Sequence, residues 1–407
     1  MKYTLGTLSA LLLLAPTLGQ ADNAADPQRE IEALREQNRI IMERLDATAE
    51  MLEALSAGGG TAAPAARDAL GADHSPFHHG RSGRTTVGAY GEMHLNMLEN
   101  QGPAGGNQRE IDFHRFIIFM GHEFSKTIRF WSELEVEHAQ VTGSGGEVAI
   151  EQAYLEFDLS PTMQARAGVL LVPVGFINET HEPPTFYGVE RPNVDKYILP
   201  TTWREGGVSL SGRLGEGWSY DLAVFSGLKI TSANYAVRGG RQAVREAMFD
   251  DPAYNLRIKW TGVPGLELGA TLQRQTNVTQ GQDPNAGAAT LVEAHAAWQS
   301  GPFALRAVYA TWDLEGSGPA AVGANEQTGW YVEPSYKVTP EVGVFTRISQ
   351  WDNAAGDNAD SEYGQIDIGL SYWPHPDVVI KLDYQDQSAP AGASEWDGLN
   401  LGVGYQF

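Results

Sequence analysis

From Thr85 to Phe407, apolar and polar side chains alternate in segments of about ten to thirteen residues, with almost no helical periodicity. Clear examples are Leu266–Leu272, Gln365–Tyr372 and Val378–Tyr384, each with one apolar face and one face of polar residues or glycine. A period of two residues predicts β-strands, and these strands are longer than the ~5–6 residues usual in soluble sheets. Their length matches the ~9–11 residues of a tilted strand in a membrane barrel.

Sixteen strands are predicted, and the lengths of their connections alternate. Seven very short turns follow even-numbered strands, whereas longer loops rich in Gly, Asp and Asn follow the odd-numbered strands. This asymmetry is typical of bacterial outer-membrane barrels, which close on themselves and leave no free edge. We therefore predict an all-β fold, a 16-stranded antiparallel transmembrane β-barrel, with strands at 85–97, 109–124, 127–138, 148–159, 163–171, 204–214, 217–227, 253–262, 265–276, 290–299, 302–312, 328–337, 341–351, 362–373, 377–387 and 396–407.

The strand ends carry two further signals of an outer-membrane barrel. The last predicted strand resembles the C-terminal sorting signal of outer-membrane proteins, because apolar residues alternate up to the terminal aromatic residue, at Leu399, Leu401, Val403, Tyr405 and Phe407. Aromatic residues also flank many strands at both ends, where amphipathic rings favour the membrane interfaces. Examples are Trp218, Trp260, Trp298 and Trp373 beside short turns, and Trp312, Trp330, Trp351 and Trp396 beside long loops.

The N-terminal part of the chain follows different patterns. Residues 1–21 form a predicted signal peptide, in which Lys2 precedes an apolar run that ends in small residues; a membrane anchor is the alternative. In residues 22–57, apolar positions from Ile31 to Leu55 recur at steps of three and four, which predicts a periplasmic coiled-coil helix. About four heptads are marginal for an isolated helix, so we expect partner helices. The heptads do not decide between a coiled coil of two helices and one of three. The alternative is a single amphipathic helix that lies on another domain.

Residues 58–84 are rich in Gly, Ala, Pro, Ser and His and form a predicted flexible linker. Its His74, His78 and His79 raise the alternative of a metal site, because imidazoles bind zinc, copper and nickel. No carboxylate or further ligand at a fixed spacing accompanies them, so we interpret the segment as a solvated linker.

Composition narrows the function further. The chain has 51 acidic against 28 basic residues, a net charge of −23, which argues against nucleic acid as a partner because phosphate binding needs a basic surface. It has no cysteine, which excludes disulfides, Cys nucleophiles and thiolate metal sites. After the first twenty residues, no apolar run approaches the ~20 residues of a membrane helix. No nucleophile–base set or metal triad stands out, so we predict that the protein is not an enzyme and needs no cofactor.

Alternation also predicts which charged side chains face the lumen, because a charge facing lipid at mid-depth would cost ~2–4 kcal/mol. A sixteen-stranded barrel is too wide for side chains to fill, so a polar, mixed-charge interior implies a water-filled channel. The predicted pore-lining residues are Arg129, Glu133, Glu135, Glu156, Arg166, Arg213, Arg306 and Arg347.

The longest predicted loop, residues 172–203, follows the fifth strand and contains five prolines and several aromatic residues. These residues make an ordered loop plausible despite its length. As the third long loop it either folds into the barrel, as in general porins, or caps the barrel mouth. If it folds inward, the predicted constriction residues are Glu182, Glu190, Arg191, Asp195 and Lys196.

The chain resembles the phosphate-selective porin O/P superfamily, which also includes coiled-coil-bearing trimeric porins linked to dicarboxylate uptake. The resemblance in architecture covers most of residues 85–407, and its sharper segments are Ala165–Val169, Pro173–Phe176, Arg191–Asn193 and Arg204–Leu210. It implies a homotrimer with one pore per subunit. Phosphate selectivity does not follow, because phosphate-selective members stack Arg and Lys along the lumen and this sequence interleaves acids with them.

We therefore predict an outer-membrane porin for passive diffusion of small hydrophilic solutes or ions. It is expected to associate with itself in outer-membrane lipid and to be weakly selective or to prefer cations, although inward-facing arginines leave a local anion path open. The alternative is a structural or adhesive outer-membrane anchor whose loops or coiled coil bind partners.

Overall fold

The computed structural model describes residues 84–103, 105–142 and 145–407. The predicted signal peptide, the predicted coiled coil and all but the last residue of the predicted linker lie outside these residues. Sixteen strands form one closed antiparallel barrel in which each strand pairs with its sequence neighbours. The strands are β1 (Thr85–Asn100), β2 (Gln108–Glu123), β3 (Ile128–Glu137), β4 (Val148–Ser160), β5 (Met163–Leu171), β6 (Arg204–Gly215), β7 (Trp218–Phe225), β8 (Ala253–Val263), β9 (Leu266–Gln275), β10 (Ala289–Ser300), β11 (Phe303–Leu314), β12 (Glu326–Lys337), β13 (Val342–Asp352), β14 (Tyr363–His375), β15 (Val378–Ser388) and β16 (Trp396–Gln406).

The barrel closes where β1 pairs with β16, from Tyr90 opposite Gln406 to Asn100 opposite Trp396. Closure gives every strand two hydrogen-bonded neighbours, which a lipid environment requires because it offers the backbone no other partner. All sixteen predicted strands are confirmed, with ends within three residues of the predicted positions. The alternation of short turns and long loops is confirmed as well.

The short turns depend on local backbone geometry. In the turn between β8 and β9, Gly265 has a φ of +80°, and a Cβ at this position would lie 2.3 Å from the carbonyl oxygen of Gln299. A left-handed conformation and a close backbone approach both favour glycine. This residue therefore allows the chain to reverse within two residues and to pack against β10.

The two faces of the barrel differ in polarity, as alternation predicts. On β14, Ile366 and Ile368 point outward and are 44% and 61% exposed, whereas Asp367 between them points inward and is 3% exposed. Asp367 lies opposite Arg347 of β13 in the ladder. Charges therefore meet inside the barrel, and the outer face is apolar where it contacts lipid.

The third long loop, residues 172–203, has no strand but contains a 3₁₀ turn at Pro183–Thr185 and a short helix at Asn193–Tyr197. Asn178 ties its two ends together, donating from Nδ2 to the carbonyls of Val172 (2.7 Å) and Trp203 (2.9 Å) and accepting from the amide of Trp203 (2.7 Å). Two further short helical segments lie in other loops, at Val237–Gly240 and Ser317–Ala321. Among the described helices, none has the length and apolar character needed to cross a membrane.

An apolar core orders the third loop. Val172, Ile198 and Trp203 of this loop are fully buried. They belong to a cluster that also contains residues of the loops after β7 and β9 and of strands β10 to β13, among them Leu228, Val237, Val278, Leu291, Trp312 and Tyr331. The Trp312 indole also donates a hydrogen bond of 2.9 Å to the carbonyl of Ile198. Burial of large side chains stabilises each by about 1.5–3 kcal/mol, which explains how a long connection without strands holds one conformation.

Candidate functional site

The third loop lies inside the barrel, because inward-facing side chains from strands around the whole wall bond to it. The donors and acceptors on the wall come from eight strands, namely His94 (β1), Arg115 (β2), Glu151 (β4), Arg257 (β8), Arg306 (β11), Arg347 (β13), Gln365 (β14) and Asp383 (β15). Several of these residues lie near the middle of their strands. The loop therefore crosses the lumen and does not cap its mouth.

Glu190 is a centre of contact between the loop and the wall. Its carboxylate is 3.0 Å from Nδ1 of His94 and accepts a 3.2 Å hydrogen bond from the side-chain Nδ2 of Asn96; both residues lie on β1. Burial acts to raise the pKa of Glu190, but attraction and hydrogen bonding from His94 outweigh it and hold the pKa well below its usual range. Glu190 therefore acts as an ionised acceptor at neutral pH.

Arg347 of β13, four strands from β1 around the barrel, joins a second part of the wall to the same part of the loop. Its guanidinium is 3.1 Å from Glu333 of β12 and 3.0 Å from Asp367 of β14, and Nη2 donates a 3.4 Å hydrogen bond to the carbonyl of Glu190. The three side chains are only 3–4% exposed. The single buried guanidinium pairs with both buried carboxylates, and the ionised group of three keeps a net charge of −1.

Two further arginines hold the start of the loop. Arg257 of β8 bonds to Glu179 of the loop and lies 2.8 Å from Asp221 of β7. Burial acts to raise the pKa of Glu179, and attraction to Arg257 lowers it below the ordinary value. Arg115 of β2 pairs with Glu92 of β1 at 2.5 Å and donates a 2.7 Å hydrogen bond to the carbonyl of His181.

Most of the other predicted wall residues also have identifiable partners. Arg129 contacts Glu156 at 2.9 Å and Asp158 at 2.5 Å, and Arg166 reaches the second oxygen of Glu156 at 2.9 Å. Arg213 is exposed beside the short turn after β4 and donates to the carbonyl of Pro161 at 2.9 Å. Arg306 donates to the loop carbonyl of Thr185 at 2.9 Å. Glu133 and Glu135 are both buried on β3.

The five residues predicted for the constriction have different surroundings. Besides Glu190, Arg191 bonds within the loop to the hydroxyl of Thr202 at 2.9 Å, and Lys196 is exposed with its ammonium 5.4 Å from the ring centre of Tyr197. Asp195 is completely buried, and this burial raises its pKa to about 7. Glu182 precedes the 3₁₀ turn and is partly buried, and burial raises its pKa as well. These five charged residues thus differ in their burial and in their partners.

Sequence reasoning did not identify Glu151. Strict alternation places it on the same face as Leu155, which is 38% exposed to the outside. A β-bulge reverses this placement: Glu133 lies opposite Gln152 and Leu134 lies opposite Ile150, so Glu151 is an extra residue with no counterpart on β3. Its side chain consequently turns inward and is fully buried. The sequence contained one signal that could have placed Glu151 inside the barrel, because a glutamate that faces lipid is energetically unfavourable.

A closed sixteen-stranded barrel with a loop folded into a polar lumen defines an outer-membrane channel of the porin class. The chain belongs to the family described as phosphate-selective porin O and P, whose model matches residues 87–389. The protein is thus an outer-membrane porin, and its family and fold are those of a non-enzymatic channel. A relative of undetermined function from Aquifex aeolicus (strain VF5) is 32% identical over 331 residues, which cover 74% of both chains.

Solved structures agree with this architecture at low sequence identity. The outer membrane channel DcaP of Acinetobacter baumannii superposes with a TM-score of 0.56 at 14% identity, covering 80% of this chain and 98% of that one. The anion-selective porin from Comamonas acidovorans gives 0.55 at 12% identity, covering 79% and 100%. OmpT of Vibrio cholerae gives 0.54 at 11% identity, covering 80% and 99%. These similarities concern the fold.

Proposed function

We propose that the protein lets small hydrophilic solutes or ions diffuse passively across the outer membrane, with weak selectivity or a preference for cations. The observation that carries this proposal is the pairing of the inward arginines. An anion path needs cationic groups free to meet the solute, whereas most of these arginines already face carboxylates.

Each arginine of the predicted pore lining is engaged with a protein acceptor. Arg129, Arg166 and Arg347 contact carboxylates at 3.0 Å or less. The remaining two, Arg213 and Arg306, donate to main-chain carbonyls at 2.9 Å. This arrangement supports local neutralisation of the wall and argues against a continuous ladder of free positive charge.

The third loop adds a negative balance within the lumen. Residues 172–203 contain four acids and two bases, a formal difference of −2 with histidine counted as neutral; they are Glu179, Glu182, Glu190, Asp195, Arg191 and Lys196. The raised pKa values of Asp195 and Glu182 make the difference at neutral pH smaller than this formal value. Charges beside a constriction influence selectivity more than distant charges on external loops. A loop of this composition supports a preference for cations.

We further propose a homotrimer in which residues 22–57 form a coiled coil in the periplasm. The heptad seam between Ile31 and Leu55 supports helix association. One solved structure of similar fold, OmpT of Vibrio cholerae, is described as a trimer form. The first barrel strand begins at Thr85, at the same barrel end as the short turns, which are periplasmic in bacterial outer-membrane barrels.

Reversal potentials in a planar bilayer test the proposed selectivity. In a KCl gradient we expect a potential of the sign for cation preference, which weakens at high salt because charges are screened within a Debye length of ~8 Å at physiological ionic strength. Glu190→Gln should shift the potential toward anions, since it removes an ionised group beside the lumen wall. Glu315→Gln is the matched control, because Glu315 lies in the long loop after β11, is 54% exposed and pairs at 2.8 Å with Arg274 of β9.

The control should shift the potential less than Glu190→Gln. A strong anion-selective potential in the unmodified protein, or block by phosphate at low concentration, would refute the proposed selectivity. Absence of any conductance from correctly folded protein would refute the diffusion channel and would favour an anchoring role.

A further inference from the structure

Three buried side chains converge where the third loop meets β3 and β4. Glu133 of β3, Glu151 of β4 and His181 of the loop each place a ligand atom within 4.8 Å of the others, and they are 4%, 0% and 3% exposed. Two carboxylate oxygens in this group, Oε2 of Glu133 and Oε1 of Glu151, are buried without a hydrogen-bond donor. A buried ionised oxygen without a partner is costly, so the cluster calls for a cation.

We propose that Glu133, Glu151 and His181 form a binding site for a divalent first-row transition-metal ion, best suited to Zn²⁺, which fastens the third loop to the barrel wall.

The imidazole is oriented as metal ligands usually are. Nδ1 of His181 lies 3.2 Å from the carbonyl oxygen of Asn178 and can donate its proton there, which leaves the lone pair of Nε2 facing Oε2 of Glu151 at 3.4 Å. A ligating histidine commonly donates its other N–H to a backbone carbonyl in this way. Without a cation or a proton between them, a nitrogen lone pair and a carboxylate oxygen would repel each other.

The surrounding residues hold the ligands in place. Gln152 donates to Oε1 of Glu133, which leaves the second oxygen of that carboxylate for an ion. Arg115 donates to the main-chain carbonyl of His181 at 2.7 Å, and Asn178 is itself bonded to both ends of the loop. The ligand positions are thus fixed from the wall and from the base of the loop.

The charge and the spacing both suit a divalent ion. Two carboxylates carry −2 together, and the nearest cation in an ion pair with them is Arg204, whose Nη1 is 3.9 Å from Oε1 of Glu151. Zinc binds nitrogen and oxygen at ~2.0–2.2 Å with tetrahedral geometry, so its ligands lie about 3.3–3.6 Å apart. Nε2 of His181 and Oε2 of Glu151 already have this separation at 3.4 Å, and a ligand atom as far as 4.8 Å from another would have to move by up to about 1.4 Å through side-chain rotation. An imidazole beside carboxylates favours zinc over magnesium or calcium, which prefer oxygen ligands alone.

The site joins parts of the chain that only the folded barrel brings together. β3 and β4 supply two ligands, and the infolded loop supplies the third. An ion bound to all three therefore stabilises the loop's position in the lumen relative to any position away from the wall.

Zinc binding by the full-length protein tests the proposal. The protein is purified without an affinity tag in detergent, with His74, His78 and His79 replaced by Ala, because the N-terminal histidines could bind zinc themselves. After EDTA treatment and dialysis, titration calorimetry with ZnCl₂ should show one ion per chain, and millimolar MgCl₂ should not compete. Glu151→Gln and His181→Gln should each weaken binding by about 100-fold or more, because each removes a direct ligand and loss of a mere supporting contact already costs 10–100-fold.

His295→Gln is the matched control, because His295 is equally buried and lies 2.7 Å from Glu293 and 3.6 Å from Glu267. This variant should bind zinc as tightly as the protein that carries only the replacements of His74, His78 and His79, which is the background protein for all variants. If the ligand variants do not fold, as judged by heat-dependent electrophoretic mobility, zinc X-ray absorption on the background protein should show one imidazole with oxygen ligands. Absence of stoichiometric zinc binding would overturn the proposal and would indicate that a proton alone bridges His181 and Glu151. Coordination of the zinc by two or more imidazoles would also overturn it. So would zinc binding that survives both ligand substitutions, or zinc binding that His295→Gln abolishes.

Discussion

Replacing Arg347 by Gln should release the third loop from the wall. The change leaves Glu333 and Asp367 without their shared cation, and it weakens the contact to the carbonyl of Glu190. Removing one partner of a buried ion pair costs about 3–5 kcal/mol, and the 3–4% exposure of these side chains justifies using the buried value. The penalty falls on the docked loop alone, because in an undocked state water solvates the two carboxylates.

That difference shifts the equilibrium between docked and undocked loop by roughly 100-fold to several-thousand-fold, at about 1.36 kcal/mol per power of ten. Trypsin reports this shift by cleavage after Lys196, an exposed side chain in a short, folded helix. When opening and closing are fast, the cleavage rate follows the population of the open state. We therefore expect cleavage at this bond to accelerate about 100-fold or more, together with larger single-channel current fluctuations in planar bilayers.

Two controls separate loop release from general damage. Arg213→Gln removes an exposed arginine that bonds only to a turn carbonyl, and it should change cleavage after Lys196 by less than twofold. Adding Glu333→Gln and Asp367→Asn to the Arg347 variant removes the uncompensated charges and should restore much of the protection. Unchanged cleavage in the single variant, with the barrel intact, would refute the argument that this buried pair holds the loop.

Two further predictions concern assembly and pH. Deletion of residues 28–56 should weaken the trimer in mild detergent without loss of the folded barrel, as measured by sedimentation; a monomeric full-length protein would contradict this. Burial raises the pKa of Asp195 to about 7, against about 3.9 when its carboxyl is solvated. Between these two pH values the docked loop therefore binds more protons than the undocked loop. The docked loop should lose stability as the pH rises from about 4 to 7, with no further loss above pH 7. Current fluctuations should therefore be fewer at pH 5 than at pH 7.5, and Asp195→Asn should remove the difference; an unaltered pH dependence in that variant would assign the effect to another group.

Much of the barrel was predictable because its determinants are local. Alternation along β14 shows that Ile366 and Ile368 share one face and Asp367 the other, and the apolar face must meet lipid. Turn residues such as Gly265 mark where a strand reverses, again from a few neighbouring residues. The strand count follows from these signals, and closure follows because lipid offers no hydrogen-bond partner to a free sheet edge.

The sequence by itself therefore determined the barrel, its strands and the inward direction of most charged residues, since each depends on a period of two or on a turn. Tertiary structure decided the path of the third loop, because its bonds to Arg347, Asp383 and His94 join residues about 100 to 200 positions apart. It also decided the inward turn of Glu151, because a bulge exists only in the register between two paired strands. Contacts of this kind leave no periodic trace along the chain, since they depend on which side chains the closed barrel brings face to face.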